Sequence, residues 1–171
     1  MNARADSDPP ISRSGTVNAD QNWSLGVTLL STIEFVDLPV KARIGIFAAD
    51  DPDPYEHRLD LTLAVDPKLV LITQDAMNHV FDYDPLLEQI HRISQARHYE
   101  TQEMLASHIV LCCATFEQIE QVEIHLKKFR SNRSGGTASG TIGVRLSVSG
   151  DDLVKLRGEQ KKVSLTRPSV D

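Results

Sequence analysis

Lys128 shares the parity of Val122, Ile124 and Leu126, so an alternating strand turns its ammonium toward the apolar side. Two readings are open. A lysine at a strand end can lay its stem on apolar surface and send its charge to water. Alternatively it enters a partly dry pocket, where an amine serves as general acid or base. Glu103 falls in the first turn of a helical pattern, where the helix dipole favours a carboxylate. The same carboxylate can accept two parallel donors from the amino group and ring N–H of a planar heterocycle. Tyr83, in Phe81-Asp82-Tyr83 just ahead of a helix, is either a packing residue or a group that stacks on a substrate and relays its protons. Asp50, Asp51, Asp53 and Glu56 form an acidic cluster that suits a cation or simply a solvated loop.

Other chemistries lack their patterns. The histidines at 57, 79, 91, 98, 108 and 125 show no H-x-H or H-E-x-x-H spacing, so no metal site is indicated. Cys112 and Cys113 are adjacent, which suits neither a mutual disulfide nor a C-x-x-C clip; they read as small core residues. Ser131, Ser134 and Ser139 stand in a Gly- and Ser-rich loop with neither a nucleophile elbow nor a phosphate-binding Gly-x-Gly-x-x-Gly. The net charge of −6 argues against a general nucleic-acid binder, which needs a basic face. No apolar run approaches the roughly 20 residues of a membrane span. The short apolar stretch Trp23–Ser31 makes a poor signal peptide, and the cytoplasm is the simplest compartment.

Period-two alternation defines the positioning elements. Val36, Leu38, Val40, Ala42 and Ile44 alternate with polar residues and Pro39, which predicts an edge or bulged strand. His57, Leu59, Leu61, Leu63 and Val65 predict a second strand, forming a long hairpin with the first. Asp84-Pro85 opens a helix with Leu86, Leu87, Ile90 and Ile93 on one face, Asp84 serving as its cap. A second helix begins near Thr101 and carries Leu105, Ile109, Cys112 and Cys113 inward. Two further strands follow, one through Val122, Ile124 and Leu126 and one through Ile142, Val144, Leu146 and Val148.

The order β-β-α-α-β-β predicts an α+β fold: a four-stranded antiparallel sheet with two helices on one face. Residues 1–22 and 150–171 lack sustained periodicity and read as flexible tails, which leaves a working domain over 23–149. The tails sum to −1 and +1, so the middle holds the −6.

The element order, with Tyr83, Glu103 and Lys128 at intervals of twenty and twenty-five residues, resembles dihydroneopterin aldolase and its epimerase relatives of the tunnelling fold. The resemblance runs from about Ile33 to Val148 and includes Ile44-Gly45-Ile46-Phe47 and the fifteen-residue step from Gly45 to Asp60. It implies that Glu103 anchors the pterin ring, with Gln102 and Tyr83 also against substrate, and that Lys128, Tyr83 and Asp50 are catalytic. It implies a metal-free, cofactor-free retro-aldol cleavage of 7,8-dihydroneopterin to glycolaldehyde and 6-hydroxymethyl-7,8-dihydropterin, in folate biosynthesis, with the dihydropterin ring as electron sink. It further implies that subunits pair edge to edge into a barrel, as a homo-tetramer or homo-octamer with sites between neighbours. The sequence departs from the family at Asp50 (family Glu), Tyr55 (often Gln), Val80 (Thr or Ser), Gln102 (apolar) and Phe129 after the lysine (Pro). Those departures keep two alternatives open: an epimerase or other enzyme of a modified-pterin branch, and a non-catalytic pterin-binding assembly protein.

Overall fold

The computed structural model describes residues 31–46, 55–130 and 141–166. Asp50, Asp51 and Asp53, the loop serines and the N-terminal tail lie outside the described residues. The elements run β1 (Ser31–Val40), β2 (Arg43–Ile44), β3 (Tyr55–Val65), α1 (Asp84–Gln95), β4 (His98–Tyr99), α2 (Gln102–Ala114), β5 (Ile119–Arg130), β6 (Ile142–Val148) and α3 (Gly150–Thr166). Short 3-10 turns at Pro67–Leu69 and Met77–His79 connect β3 to α1.

One antiparallel sheet in the order β1-β3-β5-β6 organises the chain, with β1 and β6 at its edges. The alternation read from β3 and β5 is the one observed: Leu59, Leu61, Leu63, Val122, Ile124 and Leu126 are all fully buried. The predicted hairpin is the β1–β3 pair. β2 and β4 make a separate two-residue parallel ladder, continued by Gly45 N–H donating to the Tyr99 carbonyl at 2.9 Å. Gly45 sits at φ 139°, a conformation open to glycine and costly for other residues.

β1 departs from the predicted alternation. Its register shifts between Phe35 and Leu38, so Val36 and Asp37 together oppose Asp60. Val36 is therefore 74% exposed instead of inward, and Ile33 and Phe35 take the inward positions before the bulge. Asp37 adopts φ 59°, and its N–H donates to Asp60 Oδ1 at 2.8 Å, replacing the ladder bond the bulge removes.

At α1, Asp84 is the first helical residue, not the cap; its N–H donates to Asp82 Oδ1 at 3.2 Å. Thr101 caps α2 by accepting from the Met104 N–H at 3.3 Å. α2 buries Leu105, Ala106, Ile109, Val110 and both cysteines over the sheet. Burial pushes the Cys112 thiol up to about 11 and the Cys113 thiol higher still, so both are inert core residues.

The C-terminal segment corrects the expectation of a tail beginning at residue 150. Residues 150–166 form α3, a third helix. Leu153 is fully buried in the common core. Arg157 donates to the carbonyls of Ala114, Phe116 and Ile119 at 2.8, 3.0 and 3.1 Å, closing the exit of α2 and the start of β5.

Candidate functional site

At one end of the sheet β3 and β5 bring His57 and Lys128 into register, both on the inward parity. His57 is buried at 3% exposure, and Lys128 is half-buried. The Lys128 ammonium lies 3.7 Å from the centroid of the Tyr55 ring, a cation–π contact that fixes the end of a long flexible side chain. Tyr55 and His57 also line an open hollow of about 450 Å³, bounded on its other side by Val40, Ala42 and Arg43. That volume suits a bicyclic ring with a short side chain. Both open readings of Lys128 hold part of the geometry: its stem lies at the sheet end, and its amine is held by an aromatic ring.

α2 packs on β5 and β6, and the chain reverses between Ala114 and Ile119. The helix therefore runs antiparallel to β5 and points its N-terminus toward the Lys128 end. Gln102 and Glu103 occupy the first turn there, and they diverge. Gln102 shares a stripe with Leu105, Ala106 and Ile109 and is 9% exposed. Its Nε2 is closed off from solvent and has no hydrogen-bond partner. Glu103 is on the exposed side, with Met104 and Ser107.

Tyr83 stands elsewhere. It is 43% exposed and meets Phe35 edge-on, ring centroids 5.5 Å apart. Phe35 pairs with Leu61 on β3, four residues and one strand removed from the His57–Lys128 pair. Strand geometry puts Phe35 and Lys128 about 16 Å apart. Tyr83 lines its own hollow of about 370 Å³ with Ile33, Leu69, Met77 and Phe81. Thus one chain gathers Lys128, His57, Tyr55 and the α2 start at one end, and holds Tyr83 in a second hollow beside edge strand β1.

His57 received no role from the sequence. The signal was present: a histidine on an otherwise aliphatic parity. It becomes informative only when the register sets it opposite Lys128.

The outer face of the sheet holds a charged network under the site. Lys127 Nζ reaches Asp60 Oδ1 at 2.7 Å and Asp37 Oδ1 at 2.9 Å. Burial alone would raise the Asp60 carboxyl, but hydrogen bonds from Lys127 and the Asp37 N–H, with the charges of Lys127 and His125, hold it below its ordinary value. The same bonds raise Lys127. Arg145 bridges Glu123 and His125 on this face. A Cβ at Gly143 would lie 2.7 Å from His125 Nε2 and 2.8 Å from the Leu126 carbonyl, so glycine is what lets His125 cross β6. Among the described residues no group of three His, Cys, Asp or Glu side chains could hold a metal, and no helix is long and apolar enough to cross a membrane.

Comparison with known proteins agrees with this architecture. A search of curated protein sequences gave no match. Among solved structures, dihydroneopterin aldolase from Burkholderia thailandensis, crystallised with guanine, superposes with a TM-score of 0.57 at 18% identity, over 70% of this chain and 91% of its own. The dihydroneopterin aldolase of E. coli, crystallised with neopterin, gives a TM-score of 0.56 at 16% identity, over 70% of this chain and 99% of its own. At such identities these likenesses show the fold. The family model described as dihydroneopterin aldolase matches residues 33–146, two thirds of the sequence, and on that match the chain belongs to the dihydroneopterin aldolase family.

Proposed function

We propose that the protein is a cytoplasmic retro-aldol lyase acting on a reduced pterin with a polyhydroxylated side chain, with 7,8-dihydroneopterin as substrate. The observation that carries this reading is Lys128: an amine on the inward parity of β5, held over Tyr55 and facing buried His57 across the ladder. Family membership, and the guanine and neopterin of the solved relatives, supply the ring.

In the reaction the 2′-hydroxyl loses its proton, the C1′–C2′ bond breaks, and its electron pair forms a C6=C1′ double bond while the N5=C6 π pair moves onto N5, which takes a proton. Glycolaldehyde leaves, C1′ takes a proton, and N5 gives up its own as N5=C6 re-forms, giving the hydroxymethyl product. Lys128 is the proton-transfer group, acting through water, with Tyr83 and Asp50 at the side chain. An amine held over an aromatic ring at the end of the sheet suits this work, and positioned acid–base groups contribute about 10²–10⁴-fold.

The site we propose is composite. Tyr83 and Lys128 are far apart within one chain, so one neighbour supplies Tyr83 and the next supplies Lys128. The open β1 and β6 edges pair between subunits in a homo-tetramer or homo-octamer, which covers Ile142 and Leu146, exposed at 74% and 38% in the single chain.

The test is incubation of the purified protein with 7,8-dihydroneopterin. Equimolar glycolaldehyde and 6-hydroxymethyl-7,8-dihydropterin are the expected products; ring binding without release of either sinks the lyase reading. The Tyr55 ring against Lys128 favours one second reading, an altered side-chain substrate or epimerisation. In that case the 2′-epimer or a different reduced pterin is turned over faster.

A further inference from the structure

We infer that Tyr55 is the positioning residue for Lys128: the face of its ring, and not its phenol hydroxyl, holds the lysine nitrogen in place through turnover. The inference rests on the proposed lyase reaction and names what fixes its proton-transfer group.

Lys128 stands where the core ends. Leu126, two residues earlier on the same parity, is fully buried, while Lys128 is half-buried. A flexible four-carbon stem has many rotamers there, and holding its end in one place costs entropy that a contact must offset. Tyr55 is the first residue of β3 and pairs with Arg130; His57, two residues on, pairs with Lys128. Tyr55 and Lys128 are therefore diagonal neighbours on one face, a spacing that aromatic and long side chains span. The ammonium lies 3.7 Å from the ring centroid, well inside the reach of about 6 Å for a cation–π contact.

The adjacent lysine shows what a ring does differently. Lys127 points to the other face, where two carboxylates hold its ammonium, Asp60 at 2.7 Å and Asp37 at 2.9 Å. Two such acceptors favour the charged form and keep the proton on the nitrogen. Among the described residues no carboxylate forms an ion pair with Lys128. An aromatic face attracts the cation without offering a base for its proton. Lys128 is thus held in place and still free to hand its proton on. The attraction is to the ammonium, the form Lys128 has while it carries a proton from the 2′-oxygen toward C1′. Fixing the nitrogen in that interval fixes where the proton is delivered, and small displacements of a reacting group are costly in rate.

Steady-state turnover of 7,8-dihydroneopterin by the full chain and its position-55 variants tests this. Tyr55→Phe keeps the ring face and should hold kcat and KM within about twofold. Tyr55→Leu keeps apolar bulk and loses the ring; kcat should fall about 3–30-fold, the span of a cation–π contact, with KM within about twofold. Phenylalanines bearing one, two and three ring fluorines keep the shape and drain the negative face, so kcat should fall stepwise with each fluorine. That series decides the matter where Tyr55→Leu does not fold. A kcat indifferent to fluorination, a Tyr55→Phe as slow as Tyr55→Leu, or a rise in KM at constant kcat overturns the inference and leaves the proposed function standing. No turnover by the wild-type protein overturns both.

Discussion

Asp60 is the residue on which the bulged strand and the charged face both depend. Its carboxylate accepts the Asp37 N–H freed by the bulge and takes the Lys127 ammonium. Its folded-state pKa lies below the ordinary 3.8, so the stability it contributes is complete above that value and is lost as pH falls through the folded one. Asp60→Asn should therefore flatten the fall of Tm between about pH 5 and pH 2, besides lowering Tm at neutral pH. An acid limb as steep as that of the wild type in thermal melts would remove Asp60 from this role. Lys127 acts on the opposite side: its raised pKa keeps its contribution intact below 10.5 and loses it only in stronger alkali. At this scale the sequence reveals Lys128 through parity alone, because a strand's period of two leaves little choice of side. It does not separate Gln102 from Glu103. Neighbouring residues in a first helical turn diverge by about 100°, and which one faces inward depends on where the helix docks.

Among the elements, α3 shows most plainly where pattern reading stops. Seven of its seventeen residues are charged, Gly158 interrupts them, and among the described residues its hold on the body is a few contacts: Leu153 inserted in the core, Leu156 packed against it and Arg157 on three carbonyls. A helix fastened by so few residues has no sustained apolar stripe to read. β3, β5 and α2 were legible because long buried faces impose their period on many residues. The β1 bulge was not, since Val36 and Leu38 look alike in sequence and only pairing with Asp60 sets Val36 outward. Leu153→Ala should cost about 2–5 kcal/mol, the range for a large core truncation. Arg157→Ala should cost about 1–3 kcal/mol through the carbonyls it leaves unpaired. Urea titration measures both; losses under about 0.5 kcal/mol would mean that α3 is not part of the cooperative unit.

At the scale of the whole molecule, the described residues include a hollow beside Tyr55 and His57, another beside Tyr83, and the two open edges of the four-stranded sheet. The proposed ring turns two half-sites into one. Subunits carrying Lys128→Ala and subunits carrying Tyr83→Ala are then each inactive alone, yet a refolded equal mixture holds sites with both residues intact. Random assembly places an intact Lys128 beside an intact Tyr83 in about one quarter of sites, so about a quarter of wild-type turnover should return. A mixture as inactive as its parents, with mixed assembly verified by mass spectrometry, would place both residues' work within single chains. Ile142→Asp should likewise drive the protein toward its 19.0 kDa monomer in sedimentation, because that side chain is the most exposed apolar group on β6.

The most direct measurement concerns Lys128 itself. Wild-type protein and Lys128→Ala are compared for binding of 7,8-dihydroneopterin and for release of glycolaldehyde on the same samples. The predicted result is affinity within a few-fold of wild type, with turnover reduced by about 10²–10⁴. Loss of binding with turnover per bound ring unchanged, or glycolaldehyde released at the wild-type rate, would contradict the assignment of proton transfer to the strand-end lysine.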